Sequence, residues 1–374
     1  MLPVEWEVLL VACLTSLACG LTGSISILRR QALLGDALGH SLLAGIGIGF
    51  WVLGSSSSPW LFAFAVTSGM MAVGLSEWVS RAVGGNQSMA LGLVFPAFFS
   101  IGVVLISLAP KSAHIDLDRV LTGNMDLAPL ERLQWRDMDL GPLSAWTLSC
   151  SLVLMASFVW LFHRSLIWHL FDPQGAKAAG MVLWPLSLAW LLLSAVTISL
   201  AFETMGTVMV VSLLVAPGAT AWMLTRSINS YLAVTCLAAI ASGLTGRGIT
   251  MFLDASTTAT TAISSIIIFL LAYFLAPREG IFARWRDGVK ARREIEMRML
   301  LVHLWHHELL GDESTECSEA TMAQHLGLAT QKIRATLNSL ESRKLVYPSD
   351  GIWKTTQQGK IKARDQMSGS EASR

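Results

Sequence analysis

Charged side chains are scarce in this sequence. Lys, Arg, Asp and Glu make up 14% of its 374 residues, against about 25% in an ordinary soluble domain. Of the 27 basic residues, 12 lie in residues 1–283 and 15 in residues 284–374, and the acidic residues divide in the same way, 14 against 12. The sequence therefore predicts a long apolar part that avoids water, residues 1–283, followed by a short charged part.

A loop that could cradle nucleotide phosphates is also missing. The pattern Gly-x-x-x-x-Gly-Lys-Ser/Thr does not occur, and the glycine-rich residues 243–248 contain no lysine. We therefore expect that the chain is not itself an enzyme and that any ATP hydrolysis occurs on a separate subunit.

The five cysteines follow no metal-binding or redox spacing. Four of them lie in apolar runs, where cysteine behaves as a small hydrophobic residue. This distribution predicts neither a disulfide framework nor a thiolate metal centre, and we expect no permanently bound cofactor.

Apolar runs that could cross a bilayer recur throughout the first part. A helix needs about 20 apolar residues to cross about 30 Å of hydrocarbon. The qualifying runs lie near residues 7–27, 38–54, 59–79, 89–109, 142–162, 183–202, 205–224, 231–252 and 261–276. We predict an all-α polytopic membrane protein with about nine transmembrane helices, although a count of eight or ten would also fit.

The short loops carry their basic residues on alternate sides of the predicted membrane. Two acidic residues precede the first run and Arg29-Arg30 follow it, and an excess of Lys and Arg marks cytoplasmic loops. Alternation then places Arg81, residues 164–177 and the tail beyond residue 276 inside the cell. This pattern predicts that the N-terminus lies outside and the C-terminus in the cytoplasm.

The charged part has the order of elements of a winged helix. The sequence predicts helices over 294–310, 318–327 and 329–345, a hairpin over 346–353 and a further helix over 355–363. Gly327 is a helix stop signal, and Ser-Asp-Gly at the hairpin tip is a turn sequence. We predict a small α+β winged-helix domain over residues 284–366 and a disordered tail over residues 367–374.

Residues 28–40 read Leu-Arg-Arg-Gln-Ala-Leu-Leu-Gly-Asp-Ala-Leu-Gly-His and contain a candidate metal-ligand pair. Asp36 and His40 are four residues apart, so on a helix they share one face. A carboxylate and an imidazole together suit Mn²⁺, Zn²⁺ or Fe²⁺, and ionisable residues inside an apolar helix are functional candidates. On spacing alone, a helix cap formed by Asp36 and satisfied by His40 is an equal alternative.

This stretch resembles the Leu-Arg-Arg-x-Ala-Leu-x-Gly-Asp-Ala-Leu-Ser-His signature of the manganese/zinc/iron ABC transporter permease family, with Gly39 in place of the serine. Further matches follow in family order over about residues 8–282. The resemblance implies a permease subunit of an ABC importer in the bacterial cytoplasmic (inner) membrane, with the metal ion as its substrate. It also implies ABC ATPase subunits, an external metal-binding protein and a second, identical or related, permease as partners.

Residues 199–221 are similar to two further segments of that family, Phe-Glu-x-x-Gly and Pro-Ala-Ala-Thr-Ala. Glu203 is a third candidate metal ligand at the outer end of the pathway, with a solvated interface residue as the equal alternative. Pro217 lies inside a predicted span, where it predicts a helix kink.

Residues 164–180 resemble the Phe-Asp-Pro-x-x-Ala-x-x-x-Gly loop, which in such permeases forms the coupling helix docked on the ATPase. Proline in a first helical turn and glycine beyond the last turn fit a short helix between two spans, and a plain capped connector is the alternative. The predicted coupling residues are Arg164, Phe171, Asp172, Pro173 and Gly180.

The charged part resembles DNA-binding winged helices, including those of metal-dependent repressors. Its candidate DNA-contact residues are Thr330, Gln331, Lys332, Arg334 and Asn338, which suit phosphate and base-edge contacts. The near-neutral charge balance gives little electrostatic attraction to nucleic acid, so a protein-binding role remains open. Metal binding by His303, His306 and His307 is a further alternative.

Two other classes of function compete with an ABC permease. A gradient-driven metal transporter would need no coupling loop. A membrane-tethered, metal-responsive transcription regulator would use its spans only to anchor or to sense.

Overall fold

The computed structural model describes residues 3–29, 31, 34–54, 60–84, 87–108, 125–135, 138–182, 184–277, 279–349 and 351–371. The chain forms two compact units, Met1–Gly280 and Ile281–Arg374. Each unit has its own hydrophobic core.

The first unit is almost entirely helical where it is described. Its helices are α1 (Val4–Leu28), α2 (Leu34–Leu53), α3 (Trp60–Ala82), α4 (Gln87–Ser107), α5 (Leu143–Leu161), α6 (His163–Phe171), α7 (Pro173–Ala178), α8 (Trp184–Met205), α9 (Thr207–Leu224), α10 (Ile228–Leu253) and α11 (Thr257–Leu275). Between α4 and α5 lie a 3-10 helix, Met125–Leu130, and an antiparallel hairpin of β1 (Arg132–Trp135) and β2 (Met138–Pro142). These last elements lie between the apolar runs 89–109 and 142–162, where the sequence analysis predicted no regular structure.

Helix α1 lies at the centre of this unit. It packs against α9, α10, α11, α5 and α8, while α2, α3 and α4 pack together as a group that contacts α8 and α9. Within its most apolar window, 72% of the residues of α1 are buried. The other long helices bury less, as expected of helices whose outer faces meet lipid.

Small residues bring these helices together. A Cβ atom added at Gly23 of α1 would collide with the backbone of Leu214 in α9, and one added at Gly246 of α10 would collide with Thr261 of α11. Lipid chains give apolar helices no hydrophobic reason to associate, so close backbone approach is a main source of packing energy in a membrane.

Seven helices in the described part are long and apolar enough to cross a membrane. Two further apolar helices, Ala37–Leu53 and Met209–Leu224, are shorter. The prediction of a mostly helical, polytopic membrane protein is confirmed. The count of about nine exceeds the seven, because the runs at 38–54 and 205–224 fall on the two shorter helices.

The second unit consists of helices around a small hairpin. Its elements are α12 (Ile281–Leu310), α13 (Glu313–Glu316), α14 (Glu319–Leu326), α15 (Thr330–Ser342), β3 (Val346–Ser349), β4 (Ile352–Thr355) and α16 (Gln357–Glu371). Their shared core contains Leu300 and Leu304 of α12, Ile333 and Leu337 of α15, and Trp353 of β4. These α15 residues recur at helical spacing, as the sequence predicts.

Two boundaries in this unit differ from the predicted ones. Helix α12 begins at Ile281, well before residue 294. Helix α16 continues to Glu371, into the segment 367–374 that was predicted to be disordered. Residues 357–371 contain no proline, so no residue there interrupts a helix by removing a backbone donor.

Candidate functional site

The candidate metal-ligand pair lies in α2, where Asp36 and His40 occupy the first two turns. The side chain of Asp36 lies outside the described residues. The ring of His40 stacks on Phe95 at 5.7 Å between centroids and meets Phe99 edge-on at 4.9 Å. Both phenylalanines belong to α4, so aromatic contacts from a neighbouring helix restrict the orientation of this imidazole.

Gly39 brings α2 close to α8 beside this pair. A Cβ atom at position 39 would collide with the ring of Phe202, which is only 7% exposed. The family signature has serine at this position, so its replacement by glycine makes room for Phe202. This contact joins α2, next to the candidate pair, to α8 at the residue that precedes the third candidate, Glu203.

Glu203 lies in the last turn of α8 and its side chain is exposed. Glu131, which follows the 3-10 helix, lies within electrostatic range of it. The carboxylates of Glu203 and Glu131 therefore both lie near the C-terminal end of α8. An exposed carboxylate fits both roles predicted for Glu203, that of a metal ligand and that of a solvated interface residue.

Arg132 in β1 holds the segment between α4 and α5 against α1. Its guanidinium donates to both carboxylate oxygens of Glu7, at 3.1 and 2.9 Å, and its Nε lies 2.6 Å from Asp139 Oδ2. Hydrogen bonding to Asp139 and Glu7 raises the pKa of Arg132. The same contact, with help from the backbone N–H of Gly141, lowers the pKa of Asp139. Glu7 itself is buried, so this ion pair is shielded from solvent on one side.

Asp126 attaches the same segment to two other helices. It accepts hydrogen bonds from the backbone N–H and the hydroxyl of Thr257 in α11, at 3.1 and 2.5 Å, and its Oδ1 lies 3.4 Å from Nη1 of Arg247 in α10. The backbone N–H of Met125 donates to the Thr258 hydroxyl at 3.1 Å. We call residues 125–135 and 138–142 the outer segment, because the predicted topology places them outside the cell.

Sequence reasoning missed these anchors of the outer segment. Glu7 served only as a sign of orientation, and Arg247 was noted only within a glycine-rich stretch. The available signal was the position of Arg247 inside a predicted apolar run and of Glu7 at the edge of another, where an ionisable residue calls for a partner. The partners lie more than a hundred positions away, so spacing could not identify them.

The predicted coupling residues form two short helices, α6 and α7, joined at Asp172. The Asp172 side chain caps α7 by accepting from the backbone N–H of Gly175 at 2.8 Å, and Pro173 is the first residue of that helix. Gly180, with a φ of +78°, follows α7 in the left-handed conformation that favours glycine. All three motif positions therefore have a local structural role.

Apolar side chains on α6 are exposed, including Trp168 and Phe171. His169 on the same helix lies 3.1 Å from the Ser187 hydroxyl. Burial, together with the charges of Arg29 and Lys177, lowers the pKa of His169. The segment therefore presents a mostly neutral, apolar face beside Arg164.

Helix α9 is continuous through Pro217, which lies in its second half. The Thr220 hydroxyl donates to the carbonyl of Ala216 at 2.8 Å. The kink at Pro217 remains a prediction.

The five candidate DNA-contact residues all lie on α15. Lys332 is paired with Glu296 of α12, and Arg334 with Glu319 of α14 at 2.8 Å. Both cations are thus partly neutralised within their own unit. Thr330, Gln331 and Asn338 are exposed.

Three histidines of the second unit lie together. The rings of His303 and His307 are 4.4 Å apart, and that of His325 is 6.1 Å from His303. Asp312 lies 3.0 Å from Nδ1 of His307, and Glu316 lies 2.9 Å from Nδ1 of His325. Burial and the two neighbouring imidazoles lower the pKa of His303 more than its contacts with Glu316 raise it.

The sequence grouped His306 with His303 and His307, whereas the structure adds His325 to them. His306 is exposed, and its ring lies 5.5 Å from that of His307. Across the described part of the chain, no three His, Cys, Asp or Glu side chains converge in a way that could hold a metal ion.

Comparison with known proteins identifies the family. Residues 2–276 match the model of the family described as "ABC 3 transport family". The chain is 30% identical over 360 residues to the zinc transport system membrane protein TroD of Treponema pallidum, an alignment that covers 94% of this chain and 96% of that protein. It is 31% identical over 287 residues to the manganese transport system membrane protein MntC of Halalkalibacterium halodurans, covering 76% and 92%.

A solved structure, PsaBC from Streptococcus pneumoniae in complex with Fab, has the same fold at a TM-score of 0.60 and 24% identity. This match covers 75% of the present chain and 94% of that one. The TroD alignment covers too much of the chain to stop at residue 280, so it includes much of the second unit. The family match spans nearly the whole first unit, and the chain belongs to the ABC 3 transport family.

Proposed function

We propose that this chain is the membrane-spanning permease subunit of an ABC importer for a divalent transition-metal ion, Mn²⁺, Zn²⁺ or Fe²⁺. Relatives named for zinc, manganese and chelated iron transport support this substrate class. ATP hydrolysis then occurs on separate ABC ATPase subunits. An external metal-binding protein delivers the ion, and a second permease, identical or related, completes the pathway.

The proposed topology has nine spans, with the N-terminus outside and the C-terminus in the cytoplasm of a bacterial cell. Seven long helices and the two shorter apolar ones give this number. An odd number of spans places Arg81 and residues 164–177 on the same side as the basic tail, as the distribution of Lys and Arg requires. The outer segment then faces the external binding protein.

In this topology, α6 and α7 form the surface that docks on the ATPase. The exposed Trp168 and Phe171 supply apolar contact area. The Asp172 cap and the proline that follows it fix the angle between the two short helices. A rigid, apolar corner of this kind can transmit a movement of the ATPase to α5 and α8, the spans that it joins.

Asp36 and His40 are the proposed metal-conducting residues, and the observation that carries the proposal is their place in the family signature on α2. One helix offers only two ligands, which hold a divalent ion weakly. Two permeases with their α2 helices facing each other would offer two carboxylates and two imidazoles, enough for a four-coordinate Zn²⁺ or, with water, a six-coordinate Mn²⁺. Modest affinity suits a conduction site, because the ion must leave again.

Metal uptake by the complete transporter tests this proposal. Asp36→Asn and His40→Ala should each abolish uptake of Mn²⁺, Zn²⁺ and Fe²⁺ while insertion and association with the ATPase stay normal. Asp254→Asn is the matched control, since it removes a carboxylate from an exposed left-handed position, with φ of 50°, that asparagine also adopts. Normal uptake by both α2 variants would show that Asp36 and His40 form only a helix cap. Uptake that resists vanadate would indicate a gradient-driven transporter instead.

For the second unit we propose a winged-helix fold that modulates transport in response to metal status. Helices α12, α14 and α15 followed by the β3–β4 hairpin have the winged-helix order of elements. The pairing of Lys332 with Glu296, and of Arg334 with Glu319, leaves less positive charge for DNA phosphates. A regulatory contact with protein is therefore favoured over DNA binding.

A further inference from the structure

A cavity of about 720 Å³ opens between the ends of α1, α5 and α10, next to the start of α6. Its inner wall is apolar: Leu21 of α1 and Val159 of α5 are buried, and Leu232 and Cys236 of α10 are partly buried. A volume of this size is ample for a drug-sized molecule or part of a lipid.

The rim of the cavity is polar on one side. Arg164 and Asn229 are exposed there, and His163 is half-buried. Arg164 lies in the first turn of α6 and Asn229 in the first turn of α10. The unpaired backbone N–H groups of a helix start favour negative charge, which adds to the guanidinium of Arg164. The rim therefore suits an anionic group, whereas the wall suits a hydrocarbon chain.

We propose that this cavity binds one anionic phospholipid of the inner leaflet, with an acyl chain against Leu21 and Val159 and its phosphate at Arg164. Basic pockets between spans on the cytoplasmic side are typical sites for anionic lipid headgroups. Trp160 at the mouth is 82% exposed, as is usual for aromatic side chains at a membrane interface. The choice of leaflet depends on the proposed topology, but the binding itself does not depend on metal transport.

Arg164 is also the first residue of the proposed coupling segment. A lipid phosphate on Arg164 would fix the start of α6 relative to the end of α5. The lipid composition of the membrane would then set how firmly the coupling segment is held.

Native mass spectrometry of the purified full-length chain in detergent tests the lipid site, with phosphatidylglycerol and phosphatidylcholine as probes. The wild-type chain should bind phosphatidylglycerol more tightly. Arg164→Gln should weaken phosphatidylglycerol binding about fivefold, the change expected for one basic contact. It should weaken phosphatidylcholine binding less, because the choline cation of that lipid already offsets the charge of its phosphate. Arg81→Gln, an exposed arginine in the last turn of α3, is the matched control and should change neither.

Alkylation of Cys236 provides a second readout that needs no substitution. A small apolar maleimide should modify Cys236 more slowly once phosphatidylglycerol is added, while the exposed Cys150 on α5 reacts at an unchanged rate. Equal phosphatidylglycerol binding by wild type and Arg164→Gln would overturn the proposal. So would protection of Cys236 by inorganic phosphate alone, or protection that follows chain dimerisation without added lipid. Loss of metal uptake in the α2 variants would have no bearing on any of these results.

Discussion

Gly39 shows how a single missing side chain shapes the candidate pathway. The added atoms of Gly39→Ser would collide with Phe202 of α8. Overpacking of this kind costs about 1–3 kcal/mol, so we expect Gly39→Ser to lower the thermal midpoint of the detergent-solubilised chain. Adding Phe202→Leu should restore most of the loss, because the smaller side chain vacates the space.

A glycine in open surroundings is the control for this experiment. Gly92 of α4 has no atom within 4 Å of an added Cβ, so Gly92→Ala should be neutral or slightly stabilising through its effect on the unfolded chain. If Gly39→Ser is as stable as the wild type, α2 and α8 adjust to each other and the glycine has no packing role.

At the residue scale, the sequence could predict candidates but not their surroundings. The spacing of Asp36 and His40 and their place in a family signature were visible. The stacking of His40 on Phe95 and Phe99 was not, because those rings belong to another helix. The departure from the signature at position 39 was visible too, but its reason lies in Phe202, more than 150 positions away.

At the scale of elements, the histidines joining α12 to α14 should make their packing sensitive to pH. Burial is the main cause of the lowered pKa of His303. A lowered pKa means that the unfolded state takes up its proton first, so stability falls as the pH drops below about 6.5, the ordinary value for histidine. Hydrogen exchange in α12 and α14 of the full-length chain, corrected for its intrinsic rate, should therefore speed up between about pH 7.5 and about pH 5.5.

Two substitutions on α12 separate this effect from a general response to acid. His303→Gln removes the buried titrating group and should flatten the pH dependence of exchange. His306→Gln removes an exposed histidine from the same helix and should leave the dependence as it was. An equal response in both variants would assign the pH sensitivity to other groups, among which His307, His325 and Glu316 interact with His303 and Asp312 is paired with His307.

The helices of the first unit could be predicted from the sequence more readily than the structure of the outer segment. A backbone in lipid must form its hydrogen bonds internally, so a long apolar run there forms a helix. All of the predicted runs coincide with helices. The 3-10 helix and the β1–β2 hairpin depend instead on contacts with Glu7, Arg247 and Thr257 of distant helices. The sequence of the outer segment does not by itself identify these distant partners.

At the scale of the whole molecule, two units with separate cores should tolerate separation. Truncation after Arg286 removes the second unit and most of α12, while every described helix of the first unit stays intact. We expect the truncated chain to insert, to associate with its ATPase and to transport metal, and to lose only a response to metal status. Uptake assays before and after growth in excess metal would measure both the transport of metal and its response to metal status.

A full-length chain carrying Leu337→Asp is a useful companion to the truncation. It unfolds the core of the second unit, in which Leu337 is fully buried, without shortening the chain. If truncation prevents assembly with the ATPase and Leu337→Asp has the same effect, the second unit is structural and its regulatory role fails.

The outer segment has a mechanical consequence for alternating access. It contacts α1 through Glu7, α10 through Arg247 and α11 through Thr257, and so links these three helices to one another. In the proposed topology these contacts lie at the outer ends of the three helices, and spreading the helices apart there would break at least one of the contacts. We therefore expect opening towards the outside to move them as one block against the group of α2, α3 and α4, with the gate between those two groups.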